Sequence, residues 1–404
     1  MVRKILEKIV TIAIYSGKIP SSYFIENLIN LIADREIEIY LFGKGKYINY
    51  RHPNIKTMYT PKGNFNKIFF VCIQLLRLFI IHPKKFYKLI NNHEIFSKSG
   101  SIINSLSKIL PVLNHTPDIF HIQWAKSLPF WFFLKELFGV KIVLSLRGSH
   151  INYSADADEW LAHKYNTLFP KVDKMHAVSD KIISKAEKYG AEKDKIDVIY
   201  STLDFKLLNK FEKNHYEPHT PFRFLSVGRF HWVKGYQYSL SAIEKLKKLN
   251  KEVEYTIISN NRVSEEILYQ IDDLSLDDNV KIFYPSSQSD VYNAIRESDC
   301  FILPSVEEGI SNVVLESLAI GLPVVSSDCG GMREVIENGI NGYIFPARDI
   351  ISLQNLLLKI IDLDIHERKK IINKGKNYIQ DNFDSKLIKS RFHNLYKHTL
   401  DLEK

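Results

Sequence analysis

The sequence predicts an α/β protein built from two Rossmann-like domains. Short apolar runs alternate with segments of helical periodicity, which is the pattern of parallel sheets with helices on both faces. The runs form two series, and the segment between them, STLDFKLLNKFEKNHYEPHTP (201–221), is polar and contains no predicted strand. We therefore expect an N-terminal domain over residues 1–205, a C-terminal domain over 206–384 and a final helical segment over 385–404.

The individual elements follow from local patterns. The strands of the first series are predicted at Val10–Tyr15, Ile37–Phe42, Ile119–Ile122, Lys141–Leu146, Lys174–Val178 and Lys195–Tyr200. Those of the second series are predicted at Phe222–Val227, Glu254–Ile258, Val280–Phe283, Cys300–Leu303, Pro323–Ser326 and Gly342–Phe345. Helical periodicity covers Tyr23–Ala33, Asp180–Tyr189, Tyr236–Leu249 and Ser385–Leu400, and the last of these places Ile388, Phe392, Leu395 and Tyr396 on one stripe.

The composition narrows the class of protein. The chain has 404 residues, of which 45% are hydrophobic and 25% charged, as in a soluble globular protein. Cys72, Cys300 and Cys329 have no paired spacing, which argues against a disulfide scaffold or a zinc cluster and favours a reducing cytoplasm. The net charge of +9 favours anionic partners such as phosphates, acidic lipid head groups or nucleic acid.

The first residues, MVRKILEKIVTIAIYSGKIP, are similar to a signal peptide in outline. Glu7 interrupts the pattern, the apolar run is short, and no small-residue cleavage site follows. We therefore predict a buried strand here. No stretch of the sequence reaches the roughly 18–20 apolar residues that we expect of a bilayer-spanning helix.

Residues 306–325, VEEGISNVVLESLAIGLPVV, combine a predicted helix with carboxylates. Val313–Ile320 fits a short helix capped by Ser311 or Asn312 and ended by Gly321 in a left-handed conformation, with Pro323 beyond it. Glu316 lies inside this apolar helix and Glu308 precedes it. Because an unpaired buried carboxylate costs several kcal/mol, Glu316 should have a partner or face an open cleft; a salt bridge or a solvated face is the alternative.

Residues 224–243, FLSVGRFHWVKGYQYSLSAI, have the pattern of an anion site. A strand ends at Val227, Gly228 permits a tight turn, and Arg229 and Lys234 precede a helix whose N-terminus adds partial positive charge. The alternative is a pair of solvated surface cations.

Together, SVGRFHWVKG and PSVEEGISNVVLESLAIGLPVVSSDCGGMREVIENGINGYIF resemble the retaining glycosyltransferases of family four, which carry a G-R…K-G loop and an E-x7-E helix. The resemblance covers most of residues 220–346 and extends more weakly over the N-terminal half. It implies a GT-B fold, in which two Rossmann-like domains face a central cleft and the C-terminal helix packs back toward the N-terminal domain.

The resemblance also implies a reaction. A sugar would pass, with retention and through front-face attack, from a nucleotide-diphosphate donor to a glycan or lipid-linked acceptor, as a hexosyltransferase does in surface polysaccharide biosynthesis. Neither a metal nor a cofactor would be required, because the cationic loop would neutralise the leaving diphosphate. The residues implied are Arg229, Lys234 and Glu308 for catalysis, and Gly228, Gly309, Ile310, Ser311, Asn312 and Glu316 for donor binding.

The chain departs from the family pattern on the acceptor side. Arg147-Gly148 stands where many members have His-Gly, and His150 stands where Asp is frequent. We keep Arg147 and His150 as acceptor-side candidates. The Gly-rich turn usual after TII (256–258) is replaced by SNN.

Two other motifs are similar to known ligand sites, but their context argues against metal binding and against dinucleotide binding. Asp156-x-Asp158 is similar to a metal-binding D-x-D motif but opens a predicted helix, where acidic residues suit the helix dipole. Gly43-x-Gly45 lacks the third glycine of a dinucleotide-binding fingerprint.

Residues 66–90, NKIFFVCIQLLRLFIIHPKKFYKLI, are strongly apolar and surrounded by basic residues. Such a helix can lie on an anionic membrane, or it can be a core helix of the N-terminal domain with a solvated basic end. The first interpretation predicts a cytoplasmic enzyme in peripheral contact with the inner face of the membrane, and no nucleic-acid partner. Two alternatives remain for the function: an epimerase-like GT-B enzyme acting on nucleotide sugars, and a non-catalytic basic scaffold that binds membranes or polyanions.

Overall fold

The computed structural model describes residues 10–92, 94–97 and 101–401. The chain divides into two compact units. The first contains the residues up to Val178, Ile182–Thr202 and the segment from Ile388 onward, and the second contains Ser179–Lys181 and Leu203–Leu387.

The first unit is organised around a parallel seven-stranded sheet of order β3-β2-β1-β4-β5-β6-β7. Its strands are β1 (Val10–Ile19), β2 (Ile37–Gly45), β3 (Ile55–Tyr59), β4 (Ile119–Ile122), β5 (Lys141–Leu146), β6 (Lys174–Ala177) and β7 (Ile196–Val198). The second unit has a parallel six-stranded sheet of order β10-β9-β8-β11-β12-β13. Its strands are β8 (Phe222–Val227), β9 (Val253–Ile258), β10 (Val280–Phe283), β11 (Cys300–Leu303), β12 (Val324–Ser327) and β13 (Tyr343–Phe345).

Helices cover these sheets. Those up to residue 200 are α1 (Tyr23–Ile32), α2 (Asn64–Ile81), α3 (Pro83–Asn91), α4 (Glu94–Ser97), α5 (Ile102–His115), α6 (Leu128–Trp131), α7 (Phe133–Phe138), α8 (Ser149–Asn152), α9 (Glu159–Leu168) and α10 (Lys181–Glu187). The remaining helices are α11 (Phe205–Leu208), α12 (Tyr236–Lys248), α13 (Glu265–Asp273), α14 (Gln288–Glu297), α15 (Asn312–Ile320), α16 (Ile350–Ile361), α17 (Ile365–Asn382) and α18 (Ser385–Asp401).

The predicted α/β class with two Rossmann-like sheets is confirmed. Each predicted strand is present within a few residues of its expected position, but β3 was missed. This strand pairs only with β2 at the edge of the sheet, and its sequence IKTMY carries Lys56 and Thr57 in its interior. An edge strand buries one face only, so its apolar run is too short to stand out.

The segment 66–90 forms two helices instead of one. His82 and Pro83 separate α2 from α3, because a proline ring cannot continue a helix beyond its first turn. The 18 residues of α2 meet the length and composition of a membrane-crossing helix, so the expectation that no stretch reaches this length was wrong. In the first unit α2 packs against α5, and 17% of the stretch is buried.

The helix α18 completes the core of the first unit. Ile388, Phe392, Leu395 and Tyr396, the stripe predicted from periodicity, are at most 2% exposed and pack with residues of β1, β2 and α1. Inside this core the Tyr396 hydroxyl lies 2.9 Å from Nδ1 of His121 on β4.

Candidate active site

The candidate site is formed by two loops of the second unit. One follows β8 and carries Arg229 and Lys234; the other follows β11 and carries Glu308. β8 and β11 are adjacent and parallel, and the strand order reverses between them. The carboxyl ends of strands at such a switch point form the crevice in which open α/β sheets bind ligands.

Hydrogen bonds join the two loops. The amide of Val306 donates to the carbonyl oxygen of Val233 at 2.7 Å. Nζ of Lys234 lies 2.5 Å from Oε1 of Glu308, which also accepts a hydrogen bond from Oγ of Ser305 at 2.9 Å. The cationic and acidic motifs of the sequence therefore meet at one place, and Lys234 and Glu308 form an ion pair.

Two glycines fix the shape of the basic loop. Gly235 has φ +66°, and a Cβ there would lie 2.1 Å from the carbonyl oxygen of Pro304, so only glycine permits this approach of the two loops. The Tyr236 hydroxyl donates to the carbonyl oxygen of Gly228 at 2.8 Å, which holds the turn after β8 against the start of α12.

Arg229 is exposed, and no carboxylate of the described residues pairs with it. It lines a cavity of about 390 Å³ together with Gly228, the turn after β9 and the start of α14. Ser286, Ser287 and Gln288 also line it. This cavity can receive a ligand with an anionic group beside Arg229.

Helix α15 begins beside Glu308. Ser311 has N-cap backbone geometry but its side chain makes no capping bond, and Oδ1 of Asn312 is buried with no hydrogen-bond partner. The first amides of a helix have no acceptors within the helix, so this end is suited to an anion. The predicted left-handed end at Gly321 is confirmed by its φ of +100°.

Glu316 is buried within α15 and 5% exposed. Its Oε1 accepts a hydrogen bond from the Tyr292 hydroxyl at 3.1 Å, and no cation of the described residues pairs with it. Burial raises the pKa of this carboxyl to about 7, and the bond from Tyr292 opposes the shift. The salt-bridge alternative is therefore wrong for Glu316, whereas Glu308 does have a cationic partner.

Some residues of this site were missed from the sequence. Gly330 has φ +52°, and a Cβ there would lie 1.8 Å from the carbonyl oxygen of Glu308. The amide of Gly331 donates to the carbonyl oxygen of Gly309 at 2.6 Å. The glycine pair after β12 therefore supports the acidic loop, and the doublet in SSDCGG was the signal that could have revealed it.

The SNN turn after β9 also contributes. Oδ1 of Asn261 accepts the amide of Phe230 at 2.8 Å and the hydroxyl of Ser259 at 2.8 Å. An asparagine side chain of the SNN turn thus holds the basic loop.

The two acceptor-side candidates lie in the first unit, after β5. Arg147 is 7% exposed, its guanidinium carbon lies 5.1 Å from the centre of the Phe24 ring, and burial lowers its pKa to about 10. The ring of His150 lies 5.1 Å from that of Trp124, and burial lowers its pKa to about 4, so it is neutral at pH 7. Nε of Arg147 and Nδ1 of His150 are buried with no hydrogen-bond partner.

The D-x-D segment has structural roles. Asp158 is the N-cap of α9 and accepts the amide of Leu161 at 3.1 Å, while Asp156 binds Lys188 and the hydroxyl of Tyr189. Across residues 10–92, 94–97 and 101–401, no group of three or more His, Cys, Asp or Glu side chains has an arrangement that could hold a metal ion.

Residues 209–378, which include both loops, match the family model described as glycosyl transferases group 1. The chain is a glycosyltransferase. The resemblance to family four is thereby confirmed at the level of this group. The enzyme is 26% identical over 340 residues to WcaL of Escherichia coli K12, named as a colanic acid biosynthesis glycosyltransferase, across 81% of this chain and 82% of that protein.

Two further comparisons bear on this glycosyltransferase. Over 142 residues it is 29% identical to an Escherichia coli UDP-Gal:alpha-D-GlcNAc-diphosphoundecaprenol alpha-1,3-galactosyltransferase, across 31% of this chain and 36% of that protein. The structure of HepE from Anabaena in complex with UDP and glucose matches with a TM-score of 0.72 at 16% identity, across 96% of this chain and 99% of that one. The predicted GT-B fold is confirmed.

Proposed function

We propose that this glycosyltransferase moves a sugar from a nucleotide-diphosphate donor to a glycan or lipid-linked acceptor in surface polysaccharide biosynthesis, with retention and without a metal. The observation that carries the proposal is the meeting of the Arg229 loop with the Glu308 loop at the switch point of the second sheet. WcaL is named for an exopolysaccharide, the galactosyltransferase for a diphosphoundecaprenol acceptor, and HepE was solved with UDP and glucose.

The donor diphosphate lies between Arg229, Lys234 and the first amides of α15. As the bond between the sugar C1 and the phosphate oxygen breaks, negative charge grows on the diphosphate, and these donors stabilise it. The two cations take the part that a divalent ion plays elsewhere. Gly228 and Gly309 are further candidate contacts of the donor phosphates, through their backbone.

The remaining parts of the donor extend from the diphosphate. Glu316 accepts hydrogen bonds from the ribose hydroxyls, and the base occupies the cavity of about 390 Å³ beside Ser286 and Gln288. Glu308, oriented by Lys234 and Ser305, accepts hydrogen bonds from the donor sugar.

The acceptor hydroxyl attacks C1 from the face that the diphosphate leaves. The new C1–O bond forms on that face, and the leaving phosphate oxygen takes the proton of the hydroxyl, so the anomeric configuration is retained. The acceptor is held by the first unit, with Arg147 and His150 as its candidate contacts.

We also propose that the enzyme is cytoplasmic and touches the membrane through residues 66–90. On α2 one face is apolar and exposed over its whole length: Phe65, Ile68, Phe69, Ile73, Leu76, Phe79 and Ile80 are each at least 45% exposed. These residues recur at helical spacing and form the apolar stripe of α2. The basic residues Lys85 and Lys88 instead bind Oγ1 of Thr116 and the carbonyl oxygen of Leu137, so the apolar stripe is the better candidate for the contact.

The test is a panel of UDP-, GDP- and ADP-sugars. We expect one nucleotide sugar to raise the unfolding temperature, and then to be consumed only when an acceptor is present, in EDTA as well as without it. Nuclear magnetic resonance of the product gives the anomeric configuration. Stabilisation by none of these sugars would contradict the proposal, and consumption without an acceptor would favour the epimerase-like alternative.

A further inference from the structure

The first unit contains a cavity of about 190 Å³ at the carboxyl ends of β1, β2 and β3. Its walls are partly apolar, and the residues that line it are Tyr15, Gly17, Phe42, Gly43, Lys44, Met58, Thr60, Lys108 and Pro111. This cavity is separate from the donor site, which lies in the second unit.

Two lysines line this cavity, and a third, Lys67, lies close enough to Lys108 to repel it. Lys44 ends β2 and Lys108 lies on α5, and both line it. Lys67 comes from α2, is 9% exposed, and donates to Oδ1 of Asn104 at 2.7 Å. Among the described residues, no carboxylate pairs with any of the three.

The arrangement concentrates positive charge in a partly enclosed space. Nζ of Lys108 lies 5.4 Å from the centre of the Phe130 ring, which directs its stem along apolar surface. Burial lowers the pKa of Lys108, and repulsion from Lys44 and Lys67 adds to the shift. Uncompensated cations beside a cavity are stabilised when an anion enters it.

Gly17 of β1 and Gly43 of β2 both line the cavity. Gly17 has φ +81° at the bulge where β1 shifts its register against β2, and a Cβ on Gly43 would lie 2.8 Å from the Gly17 carbonyl carbon. The absence of a Cβ at Gly43 therefore lets β1 and β2 approach each other closely beside the cavity.

We propose that this cavity binds a phosphate or diphosphate ester through Lys44 and Lys108, and that the ester belongs to the acceptor. The second half of this statement rests on the proposed function; the first half does not. The apolar lining beside the lysines suits an ester whose organic group packs against Tyr15 and Met58. A soluble sugar phosphate and a lipid-linked diphosphate share this chemistry, and the test separates them.

The probes are inorganic pyrophosphate, farnesyl diphosphate and uncharged farnesol, measured by isothermal titration with the full chain. We expect Lys44→Ala with Lys108→Ala to weaken binding of pyrophosphate at least tenfold. Lys62→Ala with Lys193→Ala removes the same charge from exposed sites of the first unit and should leave binding within twofold. All of these titrations are made in an Arg229→Ala background, because pyrophosphate can also bind at the proposed donor site, where Arg229 would hold a diphosphate.

The two sources give different results. Farnesyl diphosphate binding at least tenfold tighter than pyrophosphate, with farnesol not binding, identifies a lipid-linked diphosphate; equal affinities identify a soluble phosphate ester. If the Lys44→Ala with Lys108→Ala variant does not fold, Lys108→Met replaces Lys108→Ala. Methionine keeps an aliphatic side chain over the Phe130 ring and removes only the charge.

Undiminished binding in the Lys44/Lys108 variant, or no binding of either diphosphate, would overturn the proposal. Donor binding is measured separately by UDP titration, so a failure of the proposed glycosyl transfer appears there and not in these titrations.

Discussion

Arg229 and Lys234 are close in the chain but differ in their surroundings. Lys234 is neutralised by Glu308, whereas Arg229 is exposed beside the donor cavity without a carboxylate partner among the described residues. Arg229 has no ion pair to break when an anion arrives, so it is the cation of this loop that is more available to a diphosphate. Because it supports no other contact, its removal should affect function without affecting the fold.

We therefore expect Arg229→Ala to lower the rate of sugar transfer by at least about 100-fold, as the loss of a charge-stabilising donor does in other enzymes. The unfolding temperature should stay within about 2 °C of the wild type. Arg262→Ala, which removes an exposed arginine from the neighbouring loop, serves as the control and should retain full activity. Wild-type rates in Arg229→Ala would remove the phosphate role from this residue.

Glu316 predicts a pH dependence of stability. Its folded pKa of about 7 lies above the ordinary 4.5, so the unfolded chain ionises this carboxyl first as pH rises. The native state consequently loses stability between pH 4.5 and pH 7, by on the order of 3 kcal/mol in total. Glu316→Gln should reduce this slope in denaturant titrations at pH 5, 6 and 7, and an unchanged slope would contradict the burial-raised pKa.

The same carboxyl predicts a pH dependence of donor binding. If the ribose hydroxyls donate to Glu316 as proposed, they favour its ionised form, so nucleoside diphosphate binding should become several-fold tighter between pH 6 and pH 8. Glu316→Gln should bind more weakly and show a flatter profile by titration calorimetry. If the variant kept both the affinity and the profile, the ribose assignment would be wrong.

At the scale of elements, the site depends on close contact between loops that follow different strands. The loop after β12 supports the loop after β11, and the turn after β9 holds the loop after β8 through Asn261. These contacts position the catalytic candidates. Substituting the residues that make these contacts should therefore change the shape of the site more than it changes the stability of the second unit.

Gly330→Ala tests this support. The new Cβ would collide with the Glu308 carbonyl oxygen and force the acidic loop to move, so we expect activity to fall at least tenfold. Gly339→Ala is the matched control, since Gly339 also has a positive φ, +80°, but has open space around it. The control should lose only the roughly 1–2 kcal/mol of a left-handed alanine. Equal activity losses in the two variants would show that backbone strain alone is responsible.

The exposed apolar stripe of α2 leads to a prediction about membrane binding. Phe69→Ser with Leu76→Ser should reduce flotation with vesicles containing anionic lipid, because both side chains are at least 60% exposed and supply apolar area to the bilayer. The control is Leu268→Ser with Tyr269→Ser, two exposed apolar side chains of α13 in the second unit. Flotation that is the same in both variants would remove α2 from the membrane contact.

At the scale of the whole molecule, the two units differ in whether they are formed by one continuous segment of the chain. The second is nearly continuous in sequence, whereas the first takes its last helix from beyond the second. Leu395→Ala should cost about 2–5 kcal/mol of unfolding free energy, as expected for a leucine that is 1% exposed. Leu387→Ala, in the same helix but 38% exposed, should cost much less. Urea titrations of both variants decide whether α18 is part of the core.

The sequence predicted those parts of the fold and of the site whose residues are close together in the chain. The loop with Arg229 and Lys234 and the helix with Glu316 were found because their residues are close in the chain. We did not predict the close approach of Gly330 to Glu308 or the hydrogen bond from Tyr292 to Glu316, because each joins residues of different elements. Lys234 and Glu308 were both predicted as site residues, but the sequence did not predict that they form an ion pair. The edge strand β3 and the break at Pro83 were lost for another reason: weak or overlapping local signals.

The position of α18 has a consequence for synthesis on the ribosome. The seven strands of the first sheet emerge early, yet the side chains that cover part of that sheet are translated only after Leu203–Leu387 has been made. During this interval β1 and β4 keep an apolar surface that nascent-chain chaperones can recognise. The first unit can therefore complete its fold only after the second unit has been synthesised, although most of its own residues are translated earlier.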